Sequence, residues 1–188
     1  MHKIISLSLN GHRKALEILE ANAGLIEKIA SAFTESLKKK GKLVFIGNGG
    51  SAADAQHLAA EFVGRFKINR APLAALALTT NTSTLTAVAN DFSFEEIFSR
   101  QVQALVNPVD CVIGISTSGK SKNIILAIEK AKEIGAKTVG FLGRDGGDLA
   151  KKVDLALLIP IADTPRIQEM HILAGHILCE IVESAWPK

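Results

Sequence analysis

Residues 47–61 read GNGGSAADAQHLAAE and follow directly on the apolar run 43–46. The run reads as a short buried strand. The glycines read as a turn, Ser51 as a helix N-cap and the alanine-rich remainder as a helix. Glycines let backbone N–H groups close on an anionic or polyhydroxyl ligand, and a helix N-terminus favours negative charge. His57 and Glu61 stand at i and i+4, so they share one helix face, and Glu61 reads as the only carboxylate on it. A ligand-binding turn feeding a helix with an imidazole and a carboxylate is an active-site layout.

Outward from this stretch, strands and helices alternate. A long amphipathic helix is expected over about 15–39, with Gly41 stopping it. Strand-like runs follow at 43–46, 73–78, 111–115, 138–142 and 155–159. Helical patterns lie near 51–65, 82–89, 94–105, 121–134 and 166–185. Such alternation argues for one α/β domain over 1–188, a five-stranded parallel sheet flanked by helices in three layers. Ligands of such sheets bind beyond the carboxyl ends of the strands, at a topological switch point. The loops at 47–51, 79–82, 90–91 and 116–121 are placed to line that crevice.

Composition narrows the function. At 188 residues with 47% hydrophobic content, the chain can bury one full core. A formal charge of +3 and the absence of tyrosine argue against a nucleic-acid partner. Lys38, Lys39, Lys40 and Lys42 read as a solvated helix C-terminus. Cys111 and Cys179 lie in apolar runs outside any CxxC, as reduced core cysteines of a cytoplasmic protein would. No leader pattern opens the chain and no run reaches the ~18 apolar residues of a membrane span, so no membrane partner is expected.

Two motifs mislead. GISTSGKS at 114–121 fits the phosphate-loop pattern of nucleoside triphosphatases letter for letter. In such a loop the first glycine opens the turn, whereas Gly114 sits between Ile113 and Ile115, inside the strand. What survives is a crowd of hydroxyls, Ser116, Thr117, Ser118 and Ser121, around a helix start, which suits one phosphate monoester. Gly47, Gly49 and Ala52 form a loose dinucleotide fingerprint. The strand at 73–78 ends in neutral Thr79, Thr80 and Asn81, with no acid for a ribose.

Taken together, GNGGSAADAQHLAAEFVGRF, ALTTNTSTLTAVANDFSFEEIFSRQV, ISTSGKSKNI, GRDGGDLA and RIQEMHILAGHILCEIVE resemble the bacterial phosphoheptose isomerases, members of the sugar isomerase (SIS) fold. The resemblance covers nearly the whole chain and implies a flavodoxin-like SIS fold with a long N-terminal helix used in oligomer packing. It implies conversion of sedoheptulose 7-phosphate to D-glycero-D-manno-heptose 7-phosphate, a first step toward nucleotide-activated heptose for surface glycans. Asn48, Gly49, Gly50, Ser51, Glu61, Asn90, Asp91, Ser116, Thr117, Ser118, Ser121 and Gln168 would bind the sugar phosphate. His57, Glu61, Gln168 and His176 would hold one zinc ion per subunit, with Glu61 and His176 catalytic. A homotetramer whose sites are shared between subunits is also implied.

The chemistry is consistent with those roles. Ketose–aldose isomerisation moves a proton between C1 and C2 through an enediol and another between their oxygens. Glu61 is the natural carbon base and His176 the natural oxygen acid–base. Zinc could polarise the carbonyl. Gln168 and His176, eight residues apart on one helix, can face one cleft, and His171 points largely away as a structural residue. Plainer readings exist: His57 as a packing residue, Glu61 as a solvated charge, Asp91 as an N-cap, Asp163 and Arg166 as a cap or pair. Glutamine is also an uncommon zinc ligand. Arg65 could contact phosphate or a neighbouring subunit. The rival within the fold is a non-catalytic tetramer that associates with the replication initiator. In that branch the glutamate, the middle serine and the last-helix histidine are replaced, whereas Glu61, Ser118 and His176 stand here. Another phosphosugar isomerase, such as one acting on arabinose 5-phosphate, is the other alternative.

Overall fold

The computed structural model describes residues 1–186. Two helices lead, α1 (His2–Ala21) and α2 (Ala23–Lys38). Then come β1 (Leu43–Gly47), α3 (Gly50–Val63), β2 (Ala75–Ala77), α4 (Thr82–Asp91), a 3-10 turn (Phe94–Glu96) and α5 (Ser99–Leu105). β3 (Cys111–Ser116), α6 (Lys122–Ile134), β4 (Lys137–Gly143), a 3-10 turn (Leu149–Lys151), β5 (Leu155–Ile159) and α7 (Thr164–Ser184) complete the fold. The five strands are all parallel, in the order β2-β1-β3-β4-β5. Chain direction across the sheet therefore reverses between β1 and β3.

Two apolar layers cover the sheet. On one face α1, α2, α3 and α7 pack on Phe45, Ile113, Ile115 and Phe141. There Phe33, Phe45 and Phe62 form a three-ring cluster, with ring centroids 6.2 to 6.4 Å apart. On the other face α5 and α6 pack on Val44, Ile46, Val112 and Leu142. The central strands are buried on both faces, which is why they read as unbroken apolar runs.

Four expectations need correction. The helix expected over 15–39 is two helices, starting much earlier at His2. Asn22 breaks it: its side-chain amide donates to the Ile18 carbonyl, an alternative to helix continuation. Gly41 is not the left-handed stop. Lys40 takes φ +62°, its N–H bonds Leu37 O and the Gly41 N–H bonds Ser36 O, a Schellman ending. Gly41 is needed for space, since a Cβ would lie 2.5 Å from the Val109 carbonyl oxygen. The 73–78 strand shrinks to Ala75–Ala77 at the sheet edge. The helix expected at 94–105 divides into the 3-10 turn and α5.

The chain between α3 and β2 is tied down by a buried ion pair. Glu183 on α7, 2% exposed, accepts the N–H groups of Phe66, Lys67 and Ile68 at 2.9, 2.6 and 2.9 Å. Arg70 Nε lies 3.1 Å from Glu183 Oε1, but off the line a hydrogen bond requires. The Arg70 guanidinium donates to the carbonyls of Glu61, Phe62 and Ala71 at 3.0, 2.9 and 3.1 Å. Burial pushes the Glu183 carboxyl up, but the three N–H donors and Arg70 outweigh it and hold it below the usual range.

Helix α7 crosses α3 at Gly175, where a Cβ would come within 2.5 Å of Leu58 Cδ2 and 2.7 Å of Cδ1. Gly175→Ala must therefore push the two helices apart. Overpacking of a tight contact of this kind costs about 1–3 kcal/mol. Urea unfolding should show a lowered midpoint with an unchanged slope.

Candidate active site

The loops after β1 and β3 open onto the crevice at the switch point, because α3 leaves on one face of the sheet and α6 on the other. After β1, Gly49 takes φ +56°, a conformation that favours glycine. The chain turns so sharply that α3 begins at Gly50, and Ser51 N–H bonds the Asn48 carbonyl at 3.0 Å. Ser51 is thus buried inside the first turn and is not the N-cap, a place that Gly49 takes. Gly47 is fixed by space, since a Cβ there would lie 2.4 Å from the Ser51 carbonyl oxygen.

After β3, Gly114 lies within the strand, as its flanking isoleucines indicated. Ser116 Oγ accepts the Gly119 N–H at 3.1 Å and lies 3.3 Å from Ser121 Oγ. Ser118 Oγ accepts the Lys120 N–H at 3.2 Å. Ser121 precedes α6 without capping it through its side chain, so the helix dipole end faces the hydroxyls. The GRDGGD segment at 143–148 buttresses this loop. A Cβ on Gly119, φ +64°, would lie 1.9 Å from the Gly146 carbonyl oxygen, and Leu149 N–H bonds Gly119 O at 3.1 Å. Thr117 belongs to the same loop, its carbonyl 2.6 Å from where a Gly143 Cβ would stand. Lys120 points to solvent toward Asp145.

A second cluster forms where α3 meets α7. His57 Nε2 lies 2.9 Å from His176 Nε2 and 3.4 Å from Glu61 Oε1. The two imidazoles meet edge to face, with ring centroids 5.1 Å apart. Phe66 stacks on His176 at 5.5 Å. Burial is the main cause holding the His176 pKa below the ordinary histidine value; His57 adds to it and Glu61 partly offsets it. A neutral His176 can exchange one N–H with His57 and still give or take a proton. Glu61 is not the sole carboxylate near His57, since Asp54 one turn earlier feels its charge, though burial is the larger influence and raises that carboxyl's pKa.

Gln168 on α7 lies against the start of α3, its Nε2 2.6 Å from the place a Gly50 Cβ would occupy. His171 is structural: 1% exposed, it donates from Nε2 to the Leu142 carbonyl, and burial lowers its pKa to about 4. Asn90 and Asp91 are the exposed last residues of α4, where Asn90 donates to Asp91 at 2.9 Å. Asp91 is therefore not an N-cap. Arg65 is exposed, and Arg166 pairs with Glu169 and donates to the Ser8 carbonyl. No pattern of spacing or residue type singles out Phe66, or Asn123, whose amide exchanges two hydrogen bonds with Asn48.

Two imidazole nitrogens, a carboxylate and an amide are donor types that suit zinc. Among the described residues no three His, Cys, Asp or Glu side chains surround a common centre; His57, Glu61 and His176 meet pairwise through His57. The donor chemistry fits a metal, and the three side chains would have to spread around one.

A family model for the SIS domain matches residues 10–143. The chain is 51% identical over 181 residues to the phosphoheptose isomerase of Helicobacter pylori strain P12, covering 96% of this chain and 94% of that protein. It is 54% identical over 180 residues to the phosphoheptose isomerase of Geobacter sulfurreducens, covering 95% of each. The solved phosphoheptose isomerase of Neisseria gonorrhoeae superposes with a TM-score of 0.92 at 40% identity, covering 97% of this chain and 98% of that one. With these relatives and this crevice, the chain belongs to the phosphoheptose isomerase family of SIS-domain proteins.

Proposed function

We infer that this chain is a phosphoheptose isomerase, interconverting sedoheptulose 7-phosphate and D-glycero-D-manno-heptose 7-phosphate through an enediol. The observation that carries the reading is the meeting of His57 and Glu61 on α3 with His176 on α7, α3 being the helix that starts at the crevice beside a hydroxyl-rich loop. In this reading the phosphate rests on Ser116, Thr117, Ser118, Ser121 and the start of α6, with Asn48, Gly49, Gly50 and Ser51 along the sugar. Asn90, Asp91 and Gln168 would add polar contacts. Glu61 takes the proton from C1 of the ketose and returns it at C2. His176, kept neutral by burial, gives a proton to the C2 oxygen and takes one from the C1 hydroxyl. His57 holds the His176 ring in place. A zinc ion held by His57, Glu61, Gln168 and His176 would supply Lewis acidity toward the carbonyl.

We further propose a homotetramer with sites shared between subunits. The first half of α1 supports it, since Ile4, Ile5, Leu7 and Leu9 are 51–71% exposed, as do exposed Phe92 and Phe94 beside Asn90 and Asp91. The described helices include none long and apolar enough to cross a membrane, and both cysteines are free, which supports a cytoplasmic location.

Glu61→Gln should lower turnover of sedoheptulose 7-phosphate by at least about 10²-fold with the oligomer unchanged by light scattering. Turnover within threefold of wild type would remove Glu61 as the base. Inorganic phosphate should compete with the substrate, while magnesium ATP should be neither bound tightly nor hydrolysed. A magnesium-dependent ATPase lost in Lys120→Ala would overturn the phosphate-monoester assignment. Chelation should remove activity reversibly, zinc should restore it, and the thermal midpoint should hardly move because the apolar core does not need metal to fold. Active enzyme containing less than about a tenth of an equivalent of divalent metal would leave Glu61 and His176 as a metal-free pair.

A further inference from the structure

We propose that Asn123 is a positioning residue, which locks the phosphate loop to the sugar-binding turn through its amide pair with Asn48. Asn123 Nδ2 donates to Asn48 Oδ1 and Asn48 Nδ2 donates to Asn123 Oδ1, each at 2.9 Å. Asn123 is 3% exposed in the first turn of α6, two residues after Ser121. Asn48 follows β1 directly and precedes Gly49.

The pair crosses the switch point, joining the loop that leads into α3 to the first turn of α6, and these two helices pack in different apolar layers. Neither layer alone fixes the width of the crevice. A reciprocal amide pair does, because each side chain both donates and accepts, so the two can shift only together. Ser116, Ser118 and Ser121 stand on the α6 side and Glu61 and His57 on the α3 side. The pair therefore sets how far the phosphate anchor lies from the acid–base end. A seven-carbon substrate held at both ends feels that spacing, whereas free phosphate, held at one, does not. This rests on the isomerase reading above, in which the two loops grip one molecule.

The test is a kinetic cycle on Asn123→Ala, Asn48→Ala and the double variant, with sedoheptulose 7-phosphate as substrate and inorganic phosphate as competitive inhibitor. Alanine is the better helix former at position 123, and half-buried Asn48 regains water, so Asn123→Ala should fold with a near-unchanged thermal midpoint. Its kcat/KM should fall about tenfold or more, as expected for the loss of two part-buried hydrogen bonds, while the phosphate inhibition constant stays within about twofold. The double variant should lose little beyond the worse single one, since the pair acts as a unit. Wild-type kcat/KM in Asn123→Ala, a phosphate constant weakened in the same proportion as kcat/KM, or multiplying losses in the double variant would each overturn the proposal. Asn123→Leu, of similar size and without hydrogen-bonding groups, gives the same reading should Asn123→Ala not fold. Failure of the wild-type chain to turn over the heptulose phosphate would instead remove the isomerase reading and the inference with it.

Discussion

Leu58 on α3 occupies the space that a side chain on Gly175 of α7 would fill, and the meeting of His57, Glu61 and His176 depends on that contact. His57 precedes Leu58 in the chain and His176 follows Gly175. When the backbones of two helices approach this closely, the neighbouring side chains are set against each other, and the Nε2 atoms of His57 and His176 come to 2.9 Å. Glu61, one turn further along α3, joins them because the helix repeat returns it to the same face. The apolar packing of Leu58 and the polar meeting of the imidazoles are two sides of one helix crossing.

The rest of the fold holds that crossing steady from both ends. At the carboxyl end of α3, Arg70 gathers the carbonyls of Glu61 and Phe62 and rests against Glu183 on α7. At its amino end, the Gly49 turn is tied to α6 through Asn48 and Asn123. The 116–121 loop in turn leans on the 143–148 segment, where Gly119 on one side and Gly146 and Gly147 on the other leave no room for a Cβ. A cleft of about 430 Å³ at the opposite, amino end of the sheet is lined by Lys39, Asp110, Lys137 and Asp154. Its buried acid Asp110 is already satisfied by Lys42 and by two backbone N–H groups.

The architecture was legible because apolar strand runs and amphipathic helices obey short periods, and all five strands lie where those runs fell. Gly114 could be assigned to a strand from its isoleucine neighbours alone. The misses share a cause: they turn on hydrogen bonds between residues or on backbone angles that periodicity does not encode. Asn22 breaks a helical pattern through one side-chain bond, and Lys40, not Gly41, takes the left-handed turn. His57, Glu61 and His176 were found from residue type and resemblance. Asn123 looks in sequence like an ordinary first-turn residue, and Phe66 like a loop aromatic; their partners lie 75 residues away in one case and on α7 in the other. Asn90 and Asp91, which the resemblance placed with the sugar, stand exposed at the end of α4.

The Glu183 carboxylate also links the fold to acidity. Its folded pKa lies below the ordinary glutamate value, so the stability it adds is present above that value and fades as pH falls through the folded pKa. A proton on Glu183 removes the charge that the three N–H donors and Arg70 face, and so weakens the hold on the chain following α3. That chain carries Phe66, and through Arg70 it bears on the carbonyl of Glu61. Proton uptake at Glu183 would thus loosen both the ring against His176 and the helix end beneath Glu61. Acid would disable this enzyme by relaxing its scaffold.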